Sequence, residues 1–375
     1  MKNIQAKLDE FAFATENPLE AVKKYNTANK PIIGMVPYFM PFSLVEAFDM
    51  YPIELWGEDV EISSASKYYP AFYCSVAVTI LEAALRGKYD AFSGVIIPTT
   101  CDALRNLEEN WKFAVPQIPV VDIVQPVNSR TDAGKRYYIT QLKRAAQRLE
   151  EISGVSLTDK NLRKAIVKNN KKASLIREFN DIALDHLDVI TPYMRHVVLR
   201  AAGVMPIDTY IDKLEELNKE LESMDKYEFD GIKLVVSSIV IDSKELLDCL
   251  EDSGIAIVGD DMPSEFKRYE KNITDHIDPF VSLADEWANI EGCSLSFDPY
   301  KKRGELLKGL IERTKADGLL VNIIKFCEEE EFDYPILKKE FEQWNIPILY
   351  LETENQSDLA QQAVTRIQAF CEALR

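Results

Sequence analysis

Asp90-Ala-Phe-Ser-Gly-Val-Ile-Ile97, Pro98-Thr-Thr-Cys101, Asp102-Ala-Leu-Arg-Asn-Leu-Glu-Glu-Asn-Trp-Lys-Phe113 and Gln117-Ile-Pro-Val-Val-Asp-Ile-Val124 follow one another along the chain. The first piece is a short continuous apolar run, which reads as a strand buried on both faces. The third has apolar residues at helical spacing behind an acidic first residue. The last, over 118–124, reads as another buried strand. Strand, helix and strand in this order predict a parallel sheet covered by helices.

The same alternation extends outward. Pro31-Ile-Ile-Gly-Met-Val-Pro37 and Tyr51-Pro-Ile-Glu-Leu-Trp56 read as strands, and Pro41-Phe-Ser-Leu-Val-Glu-Ala-Phe48 as a helix. Residues 74–86 are helical, with Gly87 as the stop signal. From 132 to 224 the pattern is long, charged and helical. Alternation returns with strands at 232–240, 255–258, 318–324 and 346–350, and a last helix at 358–374. The expected architecture is α/β, with two Rossmann-like or flavodoxin-like lobes built on parallel sheets. The first lobe spans 1–131 with the N-terminal helix, a helical stretch spans 132–228, and the second lobe spans 229–375.

The two lobes carry similar segments. In each, an aspartate (Asp90, Asp317) precedes a strand, a cysteine (Cys101, Cys327), an acidic helix and an Ile-Pro pair ending at Pro119 or Pro347. Cysteine to proline is 18 positions in the first and 20 in the second. Duplication of one unit and chance likeness of two βαβ units both remain open.

The chain has 375 residues, 46% of them hydrophobic, which is ample for sizeable cores. Lys+Arg number 44 and Asp+Glu 62, a net charge of −18. That charge repels phosphate backbones and anionic lipid, so neither a nucleic acid nor a membrane is expected as partner. No apolar run approaches the roughly 18 residues of a membrane span. The polar start carries no signal-peptide core, so the expected location is the cytoplasm, with six reduced cysteines. Neither Gly-x-Gly-x-x-Gly, a P-loop nor Gly-x-Ser-x-Gly occurs. The three histidines, His186, His196 and His276, read as surface or capping residues.

The cysteines carry more information. Cys101 and Cys327 each follow a predicted strand and open a predicted helix, and Cys74 opens another. The carboxyl rim of a parallel sheet is where ligands bind. A helix N-terminus favours the thiolate, the form that binds metal. The three thiols are therefore either metal ligands converging between the lobes or buried structural cysteines. Cys249 and Cys371 lie in apolar helical patterns and read as core. Cys293, in a loop-like stretch, is a candidate further ligand. The run Cys327-Glu-Glu-Glu-Glu-Phe332 reads as an acidic first helical turn.

Ile96-Ile-Pro-Thr-Thr-Cys101-Asp-Ala-Leu-Arg-Asn-Leu107 resembles a cysteine motif of the 2-hydroxyacyl-CoA dehydratase family, which also contains benzoyl-CoA reductase subunits. Lys325-Phe-Cys327, with Tyr334-Pro-Ile-Leu-Lys-Lys339 and Ile346-Pro-Ile-Leu-Tyr-Leu-Glu352, is similar to another. Pro41 to Pro52, Trp56-Gly57, Val258-Gly-Asp-Asp261 and Tyr300-Lys-Lys-Arg303 resemble further family segments, so the likeness runs over nearly the whole chain. It implies a [4Fe-4S] cluster on Cys74, Cys101 and Cys327, with Cys293 or a non-protein group as fourth ligand. It implies the β subunit of a heterodimer with a homologous α subunit, served by an ATP-dependent iron–sulfur activator. Met262-Pro-Ser-Glu265 departs from the cysteine-containing continuation of some members, which also favours the β subunit.

The implied reaction is loss of water from an (R)-2-hydroxyacyl-CoA, with 2-hydroxyisocaproyl-CoA the expected substrate, held at or near the α subunit. One added electron makes a ketyl radical, and the cluster on this chain relays or stores that electron. Glu46 is an interface or proton-handling candidate, or simply an exposed helix carboxylate. A benzoyl-CoA-type reductase subunit and a cluster-free two-lobed binding protein are the alternatives.

Overall fold

The computed structural model describes residues 2–57, 60–354 and 361–374. Two helices, α1 (Lys2–Glu16) and α2 (Pro18–Tyr25), lead into β1 (Ile32–Met35), α3 (Phe42–Glu46), β2 (Tyr51–Glu54), α4 (Ser75–Leu85), β3 (Gly94–Ile96) and α5 (Asp102–Ala114). Four helices follow: α6 (Asp132–Ser153), α7 (Asp159–Ala183), α8 (Pro192–Ala201) and α9 (Ile207–Glu222). The second half runs β4 (Ile232–Ser237), α10 (Lys244–Asp252), β5 (Ile255–Asp260), α11 (Pro279–Ala288) and α12 (Arg303–Thr314). It ends with β6 (Gly318–Ile324), α13 (Glu328–Trp344), β7 (Ile348–Thr353) and α14 (Gln361–Leu374). The start of the expected last helix, 358–360, lies outside the described residues.

Both sheets are parallel, in the orders β2-β1-β3 and β5-β4-β6-β7. Residues 118–124 lie beside β3 in the fourth place of the first sheet, but as isolated bridges of Val120 and Ile123, not as the expected strand. Pro98 and Pro119 have no N–H to give, and each interrupts the ladder there. With that stretch counted, both lobes share the order second–first–third–fourth, the flavodoxin-like winding. The paired segments correspond closely. Val95 N–H donates to the Pro119 carbonyl, and Leu319 N–H to the Pro347 carbonyl, at 3.0 and 2.9 Å. A Cβ on Gly94 or Gly318 would meet the same carbonyl oxygens at 3.3 and 2.8 Å.

The lobes are not built from contiguous chain. α1 packs on α8 and α9, and its Leu8 and Phe11 join the core that also holds Leu234 and Val236 of the second sheet. Conversely, α11 packs on α6 and contributes Leu283 and Trp287 to the first lobe's core. Helix α7, 25 residues and so about 37 Å long, buries Leu162 and Ile166 in one core and Ile176 and Phe179 in the other. It is a strut shared by both.

A buried ionic network closes the junction. The Glu54 carboxylate at the end of β2 accepts from Arg268 at 2.5 Å and Arg200 at 3.5 Å. Arg200 also donates to Asp242 at 3.2 Å. Glu54 N–H donates to the Gly203 carbonyl at 2.8 Å, and a Cβ on Gly203 would sit 2.4 Å from the Glu54 Oε2. Glycine there makes room for the carboxylate. Against expectation, His186 and His196 are buried. His196 Nδ1 lies 2.8 Å from Glu265, which also pairs with Arg195 at 3.1 Å. A buried histidine with its own carboxylate is part of this network, and helical sequence context alone could not show it.

Truncating one member of a buried ion pair leaves its partner unpaired. Glu54→Ala is expected to cost about 3 kcal/mol in urea unfolding. A loss below about 0.5 kcal/mol, the usual range for a surface change, would contradict the clamp.

Candidate metal centre

Cys74, Cys101 and Cys327 are the N-cap residues of α4, α5 and α13. The local construction is the same in all three. Each cysteine carbonyl accepts the first helical N–H four residues on, from Val78, Arg105 and Glu331, at 3.2, 3.1 and 3.0 Å. The Cys74 sulfur faces the N–H groups of Val76 and Ala77, Cys101 those of Ala103 and Leu104, and Cys327 that of Glu330. Just before Cys327, Phe326 adopts a left-handed φ of 64°, rare for a bulky side chain. The chain spends that strain on turning from β6 into α13 within three residues.

The three sulfurs line one cavity of about 460 Å³, including the open space at its mouth. Pro37 and Tyr38 enter it from the end of β1, Cys101 from beyond β3, Ile239 from beyond β4 and Cys327 from beyond β6. In a sheet of this order the binding crevice lies between the first and third strands, at their carboxyl ends. The two lobes turn those crevices toward one shared space.

Among the described residues, no lysine, arginine or histidine lines the cavity. Burial pushes all three thiols up, Cys101 to about 12, and this outweighs the helix N–H groups pulling the other way. Three thiolates there would find no side-chain cation among the described lining residues, which is the setting a cationic metal centre satisfies. Among the described residues no three His, Cys, Asp or Glu side chains come together as ligands of a single ion. Thiolate is the ligand an iron–sulfur cluster takes, so three thiols lining one cavity fit such a group.

Other predicted residues lie elsewhere. Cys293 is buried but does not line the cavity. Its thiol is pushed up to about 11 by burial, with Arg303 pulling it down. Cys371 is in the core beside Ile367, and Cys249 is half-buried at its edge. Glu46 ends α3 and lines a separate cavity of about 1400 Å³, open space included, against α7 and the loop before α9. Its carboxylate accepts from Asn169 at 2.6 Å. Burial pushes it up, and Lys172 pulls it down. Burial in turn brings Lys172 down to about 8. Sequence reading missed Tyr38. Its phenol is pushed well up by burial and by the neighbouring Cys327, Cys101, Cys293 and Cys74, so it stands among four thiols. Its place just past β1, at the crevice end of a first strand, was the available signal.

Glu82 on α4 holds the approach to Cys74. Its buried carboxylate accepts from the N–H groups of Ser63, Ser64 and Ala65 at 3.1, 2.8 and 2.7 Å, and from Arg86 at 2.8 Å. The turn before the cysteine is thereby tied to the helix after it.

A model of the 2-hydroxyglutaryl-CoA dehydratase D-component family matches residues 37–374. The chain belongs to that family. It is 36% identical, over the full length of both chains, to the (R)-phenyllactyl-CoA dehydratase beta subunit of Clostridium sporogenes. It is 32% identical to lactoyl-CoA dehydratase subunit beta of Anaerotignum propionicum, again over both full lengths. Identity is 34% to (R)-2-hydroxyglutaryl-CoA dehydratase subunit beta of Acidaminococcus fermentans, over 99% of this chain and 100% of that one. Among the described residues, no helix is long and apolar enough to cross a membrane.

Acid tests the Glu82 anchor. Burial alone would raise this carboxyl, but the donors at Ala65, Arg86 and Ser63 bring it from 4.5 down to about 2. A depressed carboxyl contributes stability that is full above its unfolded value and is lost as pH falls through the folded one. Between pH 4.5 and 2 the wild type should lose about 3 kcal/mol relative to Glu82→Gln. Denaturant unfolding across that window checks it, and a constant gap between the two proteins would refute the anchor.

Proposed function

We propose that this chain is the β subunit of an (R)-2-hydroxyacyl-CoA dehydratase and holds one [4Fe-4S] cluster on Cys74, Cys101 and Cys327. The observation that carries the reading is the convergence of three helix-capping thiols in one cation-free crevice. Full-length likeness to three dehydratase beta subunits supports it. Those relatives are named for phenyllactyl, lactoyl and hydroxyglutaryl thioesters. For this chain we take 2-hydroxyisocaproyl-CoA as the substrate, bound at or near a homologous α subunit. An ATP-dependent iron–sulfur activator supplies the electron in the reducing cytoplasm, where thiols stay free.

Water loss from a 2-hydroxyacyl thioester requires removal of a β-proton that the carbonyl does not activate, beyond the reach of ordinary acid–base catalysis. A transferred electron solves this by converting the thioester to a ketyl radical anion; loss of hydroxide leaves a radical whose β-proton is acidic, and once that proton has left the electron is given back, so the reaction is redox-neutral. Bound on this chain, the cluster supplies a one-electron store. The chain's own residues set the conditions for it. Three helix N-termini direct N–H groups at the sulfurs and stabilise negative charge there. Ile239 and Leu104 line the cavity as apolar wall, which limits water. The exposed Phe326 stands at its edge, and Glu329 is the acidic residue of the lining.

Protein co-expressed with its α partner and purified without oxygen should hold about four irons and four sulfides on this subunit. Cys101→Ala should lose most of both, together with dehydration of 2-hydroxyisocaproyl-CoA in the presence of activator and ATP. A folded, iron-free wild-type subunit would refute the cluster. A loaded subunit that drives net reduction of the acyl-CoA would refute the dehydratase.

A further inference from the structure

Arg303 opens α12 with its guanidinium buried. Nε donates to Asp261 at 2.8 Å, and Nη1 to Glu330 at 2.8 Å and Asp333 at 3.2 Å. Nη2 donates to the Ser237 hydroxyl at 2.9 Å. Ser237 ends β4, and Asp261 directly follows β5. Glu330 and Asp333 lie in the first two turns of α13. One planar fork therefore joins the carboxyl rim of the second sheet to the helix that Cys327 caps.

The geometry is specific to that cysteine. Glu330, whose side chain Arg303 grips, is also the residue whose N–H faces the Cys327 sulfur. Without the guanidinium, Asp261, Glu330 and Asp333 would be buried together as like charges. Among the described residues, the one other cation that pairs with them is Lys301, more than half in solvent and 3.4 Å from Asp333. Such a cluster separates by moving its least anchored member. Asp261 is fixed by its place at the end of β5, so the first turn of α13 is the part free to swing.

We propose that Arg303 is the positioning residue for Cys327, locking the start of α13 so that this thiol stays in the shared crevice with Cys74 and Cys101. Its bearing on iron rests on the cluster reading above. Its bearing on the thiol does not. Lysine cannot replace it fully, because a single ammonium cannot satisfy four oxygens held in a fork.

The test uses the complex with its partner, made metal-free, and peptide mass spectrometry after timed exposure to iodoacetamide. In Arg303→Gln, Cys327 should be alkylated roughly tenfold faster than in the wild type, through local opening of α13. Cys371, deep in the other core, should be unchanged, and Arg303→Lys should fall between. After anaerobic iron–sulfur reconstitution the variants should retain less iron in the same order. If Cys371 also becomes reactive in Arg303→Gln, the variant has opened globally. Glu330→Gln, which leaves the fork on Asp261, Asp333 and Ser237, then decides: faster Cys327 alone supports the proposal, and an unchanged rate overturns it. Unchanged Cys327 reactivity in all three variants overturns it directly. A wild type that takes up no iron while Arg303→Gln still frees Cys327 would sink the cluster and leave the positioning role standing.

Discussion

Three sulfurs gathered in one cavity, with no cation among the described residues that line it, are the constraint on which the structure turns. Thiolates are costly in such a place unless something positive joins them. Everything nearby serves to bring them there. Two sheets of the same winding present their crevices to one space. Three helices begin at the three cysteines, so their N–H groups point inward. Glu82 fixes the approach to Cys74, and Glu54 ties the first sheet to α8 and to the second lobe. The shared strut α7 keeps the two cores at a set distance.

Much of this was legible in the chain because it is local. Short apolar runs bounded by Gly, Pro and polar residues mark buried parallel strands, and five of the seven described strands fall inside runs read as strands, while β5 and β7 continue a few residues past theirs. Cysteine directly after such a run, followed by an acidic helix, marks a rim position. The matched Gly-strand-Cys-helix-Ile-Pro segments proved to share their hydrogen bonds down to the same proline carbonyl. The acidic run after Cys327 is a first helical turn, as its charge implies.

What was not legible depends on contacts far apart in sequence. Nothing in α1 says that its apolar face meets α8 and α9, nor in α11 that it returns to the first lobe. Proline at 119 stopped a stretch of good strand composition from making a continuous ladder. His196 reads as a helix-surface residue until Glu265, 69 positions away, is placed against it. Glu46 sits in a family-like segment, yet the fold sends it to a different cavity from the thiols. Tyr38 carries no motif of its own, and only the closing of the two lobes puts it among the cysteines. Asp261 and Arg303, noticed separately as segments of family likeness, turn out to be partners.

The central claim is that the crevice bounded by Cys74, Cys101 and Cys327 is built around iron. Anomalous diffraction at the iron edge, on crystals of the oxygen-free complex, addresses it most directly. An iron peak in contact with all three sulfurs is the expected result. Iron bound elsewhere on the subunit, with the three thiols free in an apolar cavity, would contradict it.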